Sequence, residues 1–211
     1  MNREDSQALL VATFNRGKVR EIQQYFQRLP FRLLDLASLP GIQPSPEDGS
    51  SFEENACQKA LYYSAQTEGL VLADDSGLAV DALNGEPGIH SGRYLRDSAT
   101  DEERCRAILW RLRDVPKDRR SARFVCCVAL AQHGGILQAC HGIVEGRIGL
   151  ELQGTNGFGY DPIFILPSLG KTLAELSPGE KLQISHRGQA LQTMERYLRQ
   201  ALRDRPGESL R

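Results

Sequence analysis

The chain has 211 residues, of which 40% are hydrophobic and 25% are charged, and its formal net charge at pH 7 is -1. This length can bury a sizeable core as one large domain or two small lobes, and the composition is that of an ordinary soluble globular protein. A nearly neutral chain has no basic field with which to hold DNA or RNA, so we expect no nucleic-acid partner, and any anionic ligand must bind a local cluster of lysines and arginines.

The N-terminal segment, MNREDSQALLVATFN, has no charged region followed by the long apolar run of a secretion signal. No stretch approaches the roughly 20 apolar residues that cross a bilayer. The cysteines form no CxxC motif, and several lie in apolar runs, which is typical of buried, reduced thiols in a cytosolic protein: Cys57, Cys105, Cys126, Cys127 and Cys140. We therefore expect a cytoplasmic location and no membrane partner.

The chain opens with a strand, a polar loop, a helix and a second strand. ALLVAT (Ala8 to Thr13) is a short apolar run typical of a buried strand. After the loop FNRG, the segment KVREIQQYFQRL places Val19, Ile22 and Phe26 on one helical face. FRLLDL (31–36) predicts the second strand.

The next segment predicts a helix that leads to a pair of adjacent acids. A loop with three prolines ends in two capping-box patterns, Ser50 with Glu53 and Ser51 with Glu54, which open a helix from about Phe52 to Thr67. LVLA predicts a third strand, and two aspartates follow it directly. Beyond the aspartates, GLAVDAL predicts another strand.

The second half of the chain adds a hairpin and further helices. Thr100 with Glu103 forms a capping box for a helix through about Arg113. The β-like runs SARFVCCVALAQ and ILQACHGIVEGRI flank HGG, which predicts a hairpin, and IFIL predicts a short strand. Ser177 and Glu180 form a helix start, and the last helix has an apolar face before a polar tail that we expect to fray. The elements predict a mixed α/β or α+β fold, and the hairpin argues against an all-parallel sheet.

The first polar loop that suggests chemistry is TFNRGK, between a strand and a helix. Backbone N–H groups at a helix N-terminus attract anions, and Lys18 adds a positive charge. The loop lacks the Walker A pattern, so it is not a P-loop. Taken alone, such a loop is more often an ordinary turn between a strand and a helix.

A second feature is a group of carboxylates in the first third of the chain: Glu47, Asp48, Glu53, Glu54, Asp74 and Asp75. Mg²⁺ is commonly held by one or two protein carboxylates together with substrate phosphates. Carboxylates at the end of a central strand lie where α/β proteins bind ligands. One such aspartate is often a simple turn residue, but two in succession favour a functional role.

Two further segments carry ring-binding and cationic side chains. In TNGFGYDPIF, Gly157 and Gly159 let the backbone approach a ligand, and Phe158 can stack on a flat ring, although a core role fits the aromatic residues as well. EKLQISHRGQA brings cations to a helix start, where a solvated basic patch is the alternative: Lys181, His186 and Arg187. Together the four segments predict a nucleotide site with Mg²⁺-assisted phosphoryl chemistry.

These segments also resemble a known family, the inosine/xanthosine triphosphate pyrophosphatases. The matching pieces are TFNRGKVREI, FEENACQKA, ADDSGLAVDALNGEPGIHSGRY, GFGYDPIF and SHRGQAL, in the family's order and over nearly the whole chain. Two positions depart from the usual pattern. Phe14 replaces the glycine of T-G-N-x-G-K, and His90 stands where a tyrosine is common.

The resemblance implies an elongated mixed sheet flanked by helices, with two lobes, a nucleotide cleft between them and a homodimer. It implies one domain over 1–203, followed by a disordered tail over 204–211. It also implies a reaction, in which ITP, dITP or XTP and water give the monophosphate and pyrophosphate, with Mg²⁺ required. Attack at the α-phosphorus is inherited from the resemblance.

The resemblance also assigns roles to individual residues. Glu47 and Asp75 match metal-binding carboxylates, Asp75 also matches the proposed base, and Asp74 either ligates the metal or orients Asp75. The substrate-binding positions are Thr13, Phe14, Asn15, Arg16, Gly17, Lys18, Lys59, Ser76, Phe158, Gly159, Tyr160, Asp161, Lys181, His186 and Arg187. Of these, three lysines are expected to neutralise charge on the leaving group: Lys18, Lys59 and Lys181.

Base choice has a physical explanation. Hypoxanthine and xanthine carry an oxygen at C6, where adenine carries an amino group, so a donor such as His186 or Arg187 accepts the first and rejects the second. Two other functions stay open. One is a related pyrophosphatase acting on other altered or pyrimidine nucleotides, and the other is a nucleotide-binding regulator without turnover, for which a water-activating carboxylate would have no use.

Overall fold

The computed structural model describes residues 7–204. Within this range the strands are β1 (Ala8–Val11), β2 (Arg32–Asp35), β3 (Leu70–Val80), β4 (Ser121–Gln132), β5 (Gly135–Ile148), β6 (Phe164–Leu166) and β7 (Lys171–Thr172). The α-helices are α1 (Arg16–Phe26), α2 (Phe52–Ser64), α3 (Asp101–Arg111), α4 (Pro178–Ile184) and α5 (His186–Asp204). Asp204 ends α5, and the rest of the predicted tail lies outside the described residues.

The strands form one mixed sheet in the order β2-β1-β3-β4-β5-β6-β7. β1 pairs in parallel with both β2 and β3, whereas β6 is antiparallel to β5 and β7. The predicted hairpin is confirmed, with His133 and Gly134 in left-handed conformations (φ 49° and 74°) between β4 and β5. The mixed α/β class predicted from the sequence is therefore confirmed.

One prediction about the central strand is wrong. One strand was predicted to end before Asp74 and Asp75 and another to begin after them. Instead, β3 runs without interruption through both aspartates. Aspartate is disfavoured in strands, which is why propensity suggested a break. Both side chains are buried beside charged partners, and this tertiary pairing overrides the local preference.

The chain folds into two compact units. Within the described residues, the first contains 7–75, Cys126–His141 and 187–204. Strand β1 and the part of β3 before Asp74 are apolar on both faces, as expected for strands covered on both sides. Leu70 and Leu72 pack in the core with α1 and α5, and Val71 and Ala73 pack in the core with α2.

The second unit contains Ser76–Val125 and Gly142–His186. Its core includes Leu78, Ile108 and Phe164. The capping boxes predicted for Thr100 with Glu103 and for Ser177 with Glu180 are both present, and they open α3 and α4.

The remaining expectations concern membranes and thiols. No helix within the described range is both long and apolar enough to span a bilayer. All of the cysteines are unpaired, and all but Cys57 are buried, as expected for reduced thiols.

Candidate functional site

Asp74 and Asp75 lie on opposite faces of β3. Successive side chains of a strand point to opposite sides of the sheet, so two adjacent aspartates must enter different surroundings. Asp74 follows the alternation of Leu70 and Leu72 toward α1 and α5, and Asp75 follows that of Val71 toward α2. Two separate charge clusters of the first unit result.

The Asp75 cluster is built on α2. The ammonium of Lys59 donates to Asp75 Oδ1 at 2.7 Å and to Glu47 Oε1 at 2.9 Å. One helical turn earlier, Asn55 Nδ2 donates to Asp75 Oδ2 at 3.3 Å, and Asn55 Oδ1 accepts from the backbone N–H of Gly49 at 2.9 Å. The helix therefore holds both oxygens of Asp75 and the loop that carries Glu47.

This cluster has the charge of a cation site. Burial alone would lower the pKa of Lys59, but attraction to Asp75 and to Glu47 outweighs burial and raises it above its usual value. Two carboxylates therefore converge on one ammonium. The Glu47 side chain is 40% exposed, so the cluster reaches solvent.

The two carboxylates fit Mg²⁺ in number and in chemistry. Their oxygens converge on one cationic nitrogen, and hard oxygen ligands suit this ion. Among residues 7–204, no three or more histidine, cysteine, aspartate or glutamate side chains gather as a metal site. A Mg²⁺ ion held by Glu47 and Asp75 would therefore take its other ligands from water and substrate phosphates.

The Asp74 cluster is dry and fully charge-paired. Asp74 Oδ1 accepts from Lys18 at 2.6 Å, and Oδ2 accepts from Arg187 Nε at 2.8 Å and from the Cys126 thiol at 3.1 Å. Arg187 Nη1 also donates to Glu21 at 2.5 Å. Burial alone would raise the pKa of Asp74, but Arg187 and Lys18 hold it well below its usual value.

The predicted phosphate loop lies at the carboxyl end of β1. Thr13 Oγ1 accepts from the backbone N–H of Asn15 at 3.2 Å. Asn15 is the N-cap of α1, and its side chain accepts from the backbone N–H groups of Gly17 and Lys18 at 2.9 and 3.1 Å. Phe14, Asn15 and Arg16 are exposed. The loop therefore presents a helix N-terminus to solvent.

The second unit carries the predicted aromatic residues in a hydrogen-bonded loop. The backbone N–H of Phe158 donates to Asp161 at 2.8 Å, and Asp161 forms a buried ion pair with Lys181. The Lys181 ammonium lies 4.6 Å from the centroid of the Phe158 ring. Gly157 has φ 76°, and a Cβ there would lie 2.1 Å from Asp161 Oδ2, so the close approach requires glycine.

The other predicted residues of the second unit are buried or partly buried. The His186 ring stacks on Phe124, with centroids 4.7 Å apart and 8° between the planes. The Tyr160 hydroxyl donates to the backbone oxygen of Ser91 at 3.0 Å, and burial raises the pKa of Tyr160. Ser76 lies in β3 and is partly buried.

The model of the Ham1 family matches residues 9–197. The chain belongs to the Ham1 family. A protein of Exiguobacterium sibiricum named dITP/XTP pyrophosphatase is 47% identical over 190 residues, covering 90% of this chain and 96% of that protein. A protein of the same name from Oceanobacillus iheyensis is 43% identical, covering 90% and 97%.

The fold agrees with this assignment. The structure of a HAM1 protein from Coxiella burnetii is 43% identical to this Ham1-family chain, with a TM-score of 0.81, and the match covers 92% of this chain and 100% of that one. The family indicated by the sequence motifs is therefore confirmed.

Within this Ham1-family chain, the first unit joins Glu47, Lys59 and Asp75 in one cluster and Lys18, Asp74 and Arg187 in another. Two other acids of the predicted carboxylate group, Glu53 and Glu54, have partners outside these clusters. Glu54 accepts from the backbone N–H and hydroxyl of Ser50, both at 2.7 Å, and Glu53 lies 3.4 Å from His141.

Sequence reasoning missed three residues of the clusters: Glu21, Asn55 and Cys126. Glu21 had a signal, because an acid on the same turn as the apolar Ile22 is costly to bury without a partner. Asn55 precedes Lys59 by one helical turn, which places both on one face of α2. Cys126 had no signal beyond its place in an apolar run.

Proposed function

We propose that this chain is a Mg²⁺-dependent nucleoside triphosphate pyrophosphatase that hydrolyses ITP, dITP and XTP to the monophosphate and pyrophosphate. The names of its relatives support the substrate class. The observation that carries the reaction type is the convergence of Glu47 and Asp75 on one cation, because phosphoryl chemistry needs a positive charge beside a proton acceptor.

Asp75 is the proposed general base. Its carboxylate takes a proton from a water molecule whose oxygen bonds to the α-phosphorus, and the bond from that phosphorus to the bridging oxygen breaks, which releases pyrophosphate. Asn55 and Lys59 hold the two oxygens of Asp75 in place. Glu47 and Asp75 would hold Mg²⁺, which would supply positive charge beside the phosphate oxygens.

The N-terminus of α1 and the lysines of the first unit bind the triphosphate in this proposal. The backbone N–H groups after Asn15 and the ammonium of Lys18 attract anions. Lys59 is already shared between two acids, and a phosphate would compete for its ammonium. Asp74 acts through its partners, since it holds Lys18 and Arg187 and has its own oxygens occupied by them.

The second unit binds the purine in this proposal. Phe158 supplies the stacking surface. The Lys181 ammonium, which is paired with Asp161, packs against one face of the Phe158 ring. Lys181 is neutralised by Asp161, so we assign it to the base rather than to the leaving group. His186 remains a proposed donor to the purine 6-oxygen. Arg187 belongs to the first unit, where its buried guanidinium donates to Asp74 and Glu21, so we assign it to holding Asp74. A homodimer, a cytoplasmic location and the absence of nucleic-acid and membrane partners complete the proposal.

The test is the release of pyrophosphate from ITP, dITP, XTP, GTP and ATP, with Mg²⁺ or with a chelator. We expect fast release from ITP, dITP and XTP that requires Mg²⁺. Orthophosphate as the product would place the attack at another phosphorus and contradict the proposal. A preference for pyrimidine triphosphates in the same assay would favour a related pyrophosphatase, and nucleotide binding without any release would favour a regulator.

A further inference from the structure

The backbone on both sides of Phe158 is held by carboxylates. Asp161 accepts from the N–H of Phe158, as described above. On the other side, Asp101 Oδ2 accepts from the N–H of Gly159 at 2.7 Å. The two peptide planes that flank a Cα atom set its φ and ψ angles, so these two bonds together fix the direction in which the Phe158 side chain leaves the backbone.

Helix α3 provides the second of these anchors. Asp101 and Cys105 are one helical turn apart, and the Cys105 thiol donates to the backbone oxygen of Gly159 at 3.3 Å. Both polar backbone groups of Gly159 are therefore bound to one face of α3. Gly159 has φ 62°, a conformation that other residues rarely adopt, so this turn favours glycine.

Asp101 is itself oriented by a neighbour. Arg104 Nη1 donates to Asp101 Oδ1 at 3.1 Å, and Arg104 Nη2 donates to the backbone oxygen of Asp97 at 3.4 Å. One oxygen of Asp101 is thus held by the arginine while the other accepts from the loop. A general preference for acids in a first helical turn does not explain a bond to a loop 58 residues away.

We propose that Asp101 is a positioning residue for nucleobase stacking, which acts on Phe158 through the N–H of Gly159. This inference rests on the proposed function, because it assumes that Phe158 stacks on the purine. Asp101 touches neither phosphate nor metal in this scheme. Its loss should therefore weaken the binding of substrates that carry a base and leave the phosphate chemistry intact.

The test compares Asp101→Ala with Asp101→Asn. Alanine removes the acceptor, and we expect the KM for ITP to rise about tenfold, as for the loss of one charge-assisted hydrogen bond, with kcat nearly unchanged. Asparagine keeps an acceptor oxygen and should restore a KM close to that of the unmodified protein. Inhibition by inorganic tripolyphosphate, which has no base, should be the same in all three proteins.

The matched control is Glu102→Ala. Glu102 lies in the same first turn and carries the same charge, but its carboxylate binds Arg106 at 2.7 Å on the exposed side of the helix. We expect KM and kcat to be unchanged. A rise in KM equal to that of Asp101→Ala would show that the charge of the helix start is responsible, and would overturn the proposal.

A double-mutant cycle identifies the route of the effect. Phe158→Ala should raise KM by itself, and adding Asp101→Ala should raise it no further, because the ring that Asp101 positions is gone. Additive effects would contradict a route through Phe158. An equal loss of tripolyphosphate inhibition and ITP binding in Asp101→Ala would also contradict it, because the defect would then extend beyond the base.

Amide hydrogen exchange at Gly159 tests the anchor without any turnover. Exchange should accelerate in Asp101→Ala and stay slow in Asp101→Asn and Glu102→Ala. If the unmodified protein released no pyrophosphate from any nucleotide, the proposed function would fail, while the exchange result would still decide whether the anchor exists. Faster exchange in Asp101→Ala with an unchanged KM for ITP would show that the anchor exists but would contradict its role in positioning Phe158.

Discussion

The two adjacent aspartates of β3 have the same chemistry and opposite surroundings. Asp74 is fully buried and shares its two oxygens among Lys18, Arg187 and Cys126, so its charge is matched within the protein. Asp75 shares the ammonium of Lys59 with Glu47, whose side chain is partly exposed, so that cluster reaches solvent. The difference arises because side chains alternate between the two faces of a strand, so neighbouring residues meet different helices and different charged partners.

This contrast separates two uses of a carboxylate. An acid with all of its charge matched in a dry site can hold other groups in position, but it is poorly placed to exchange a ligand or a proton. An acid in a cluster that reaches solvent can recruit a cation and accept a proton from water. We therefore expect substitution of Asp75 to affect mainly turnover and substitution of Asp74 to affect mainly stability.

The largest expected effect is on turnover in Asp75→Asn. The amide cannot accept the proton of the attacking water, so kcat should fall by about 10²–10⁴-fold. Lys59 keeps Glu47 as a partner, and the melting temperature should change little. Steady-state pyrophosphate release measures the first quantity and thermal unfolding the second, with Glu54→Gln, an acid bonded to Ser50, as the control. A kcat equal to that of the unmodified protein would remove Asp75 from the mechanism.

Next in size is the stability loss in Asp74→Asn. Removal of this charge takes a buried ion-pair partner from both Arg187 and Lys18. Breaking such a buried pair lowers the free energy of unfolding by about 3–5 kcal/mol. Urea unfolding of Asp74→Asn and Asp75→Asn side by side makes the comparison direct. Equal losses in the two variants would show that the faces do not differ as proposed.

The pH dependence of the free energy of unfolding distinguishes the two faces of β3, because Asp74 affects it at acid pH and Lys59 at alkaline pH. The folded-state pKa of Asp74 lies well below the usual 3.8, so its contribution is present above 3.8 and is lost as the pH falls through the folded value. The folded-state pKa of Lys59 lies above the usual 10.5, so its contribution is present below 10.5 and is lost as the pH rises through the folded value.

Two variants test this assignment by urea unfolding across the pH range. Asp74→Asn should flatten the acid limb of the stability curve and leave the alkaline limb, because the Lys59 cluster is intact. Lys59→Met should flatten the alkaline limb and leave the acid limb. If either substitution flattened the other limb, the two clusters would not titrate independently.

Much of the fold followed from local pattern. The hairpin, the capping boxes of α3 and α4 and the apolar strands were predicted because hydrophobic period, turn residues and caps are written within a few residues. The continuity of β3 was missed, because it depends on Lys18, Lys59 and Arg187, which lie far from the aspartates in sequence. For the same reason, the motifs singled out Asp74 and Asp75 but did not show that they belong to different clusters.

The smallest expected effect is on stability, and it concerns two neighbouring residues of β4, the strand beside β3. Cys126 and Cys127 are adjacent on β4 and buried in the two different cores, and the Cys126 thiol, kept neutral because burial raises its pKa, donates to Asp74. Replacement by alanine removes the same atoms at both sites. Cys126→Ala should cost about 1 kcal/mol more than Cys127→Ala in unfolding free energy, since it also removes a donor to a charged group.

Serine should reverse the order between the two sites. At Cys126 the hydroxyl keeps a donor for Asp74, so Cys126→Ser should be more stable than Cys126→Ala. At Cys127 the surroundings include Ala129 and Ala131, and burying a hydroxyl there without a partner should make Cys127→Ser less stable than Cys127→Ala. The same order at both positions would mean that the thiol of Cys126 contributes packing alone, and that Lys18 and Arg187 by themselves hold Asp74.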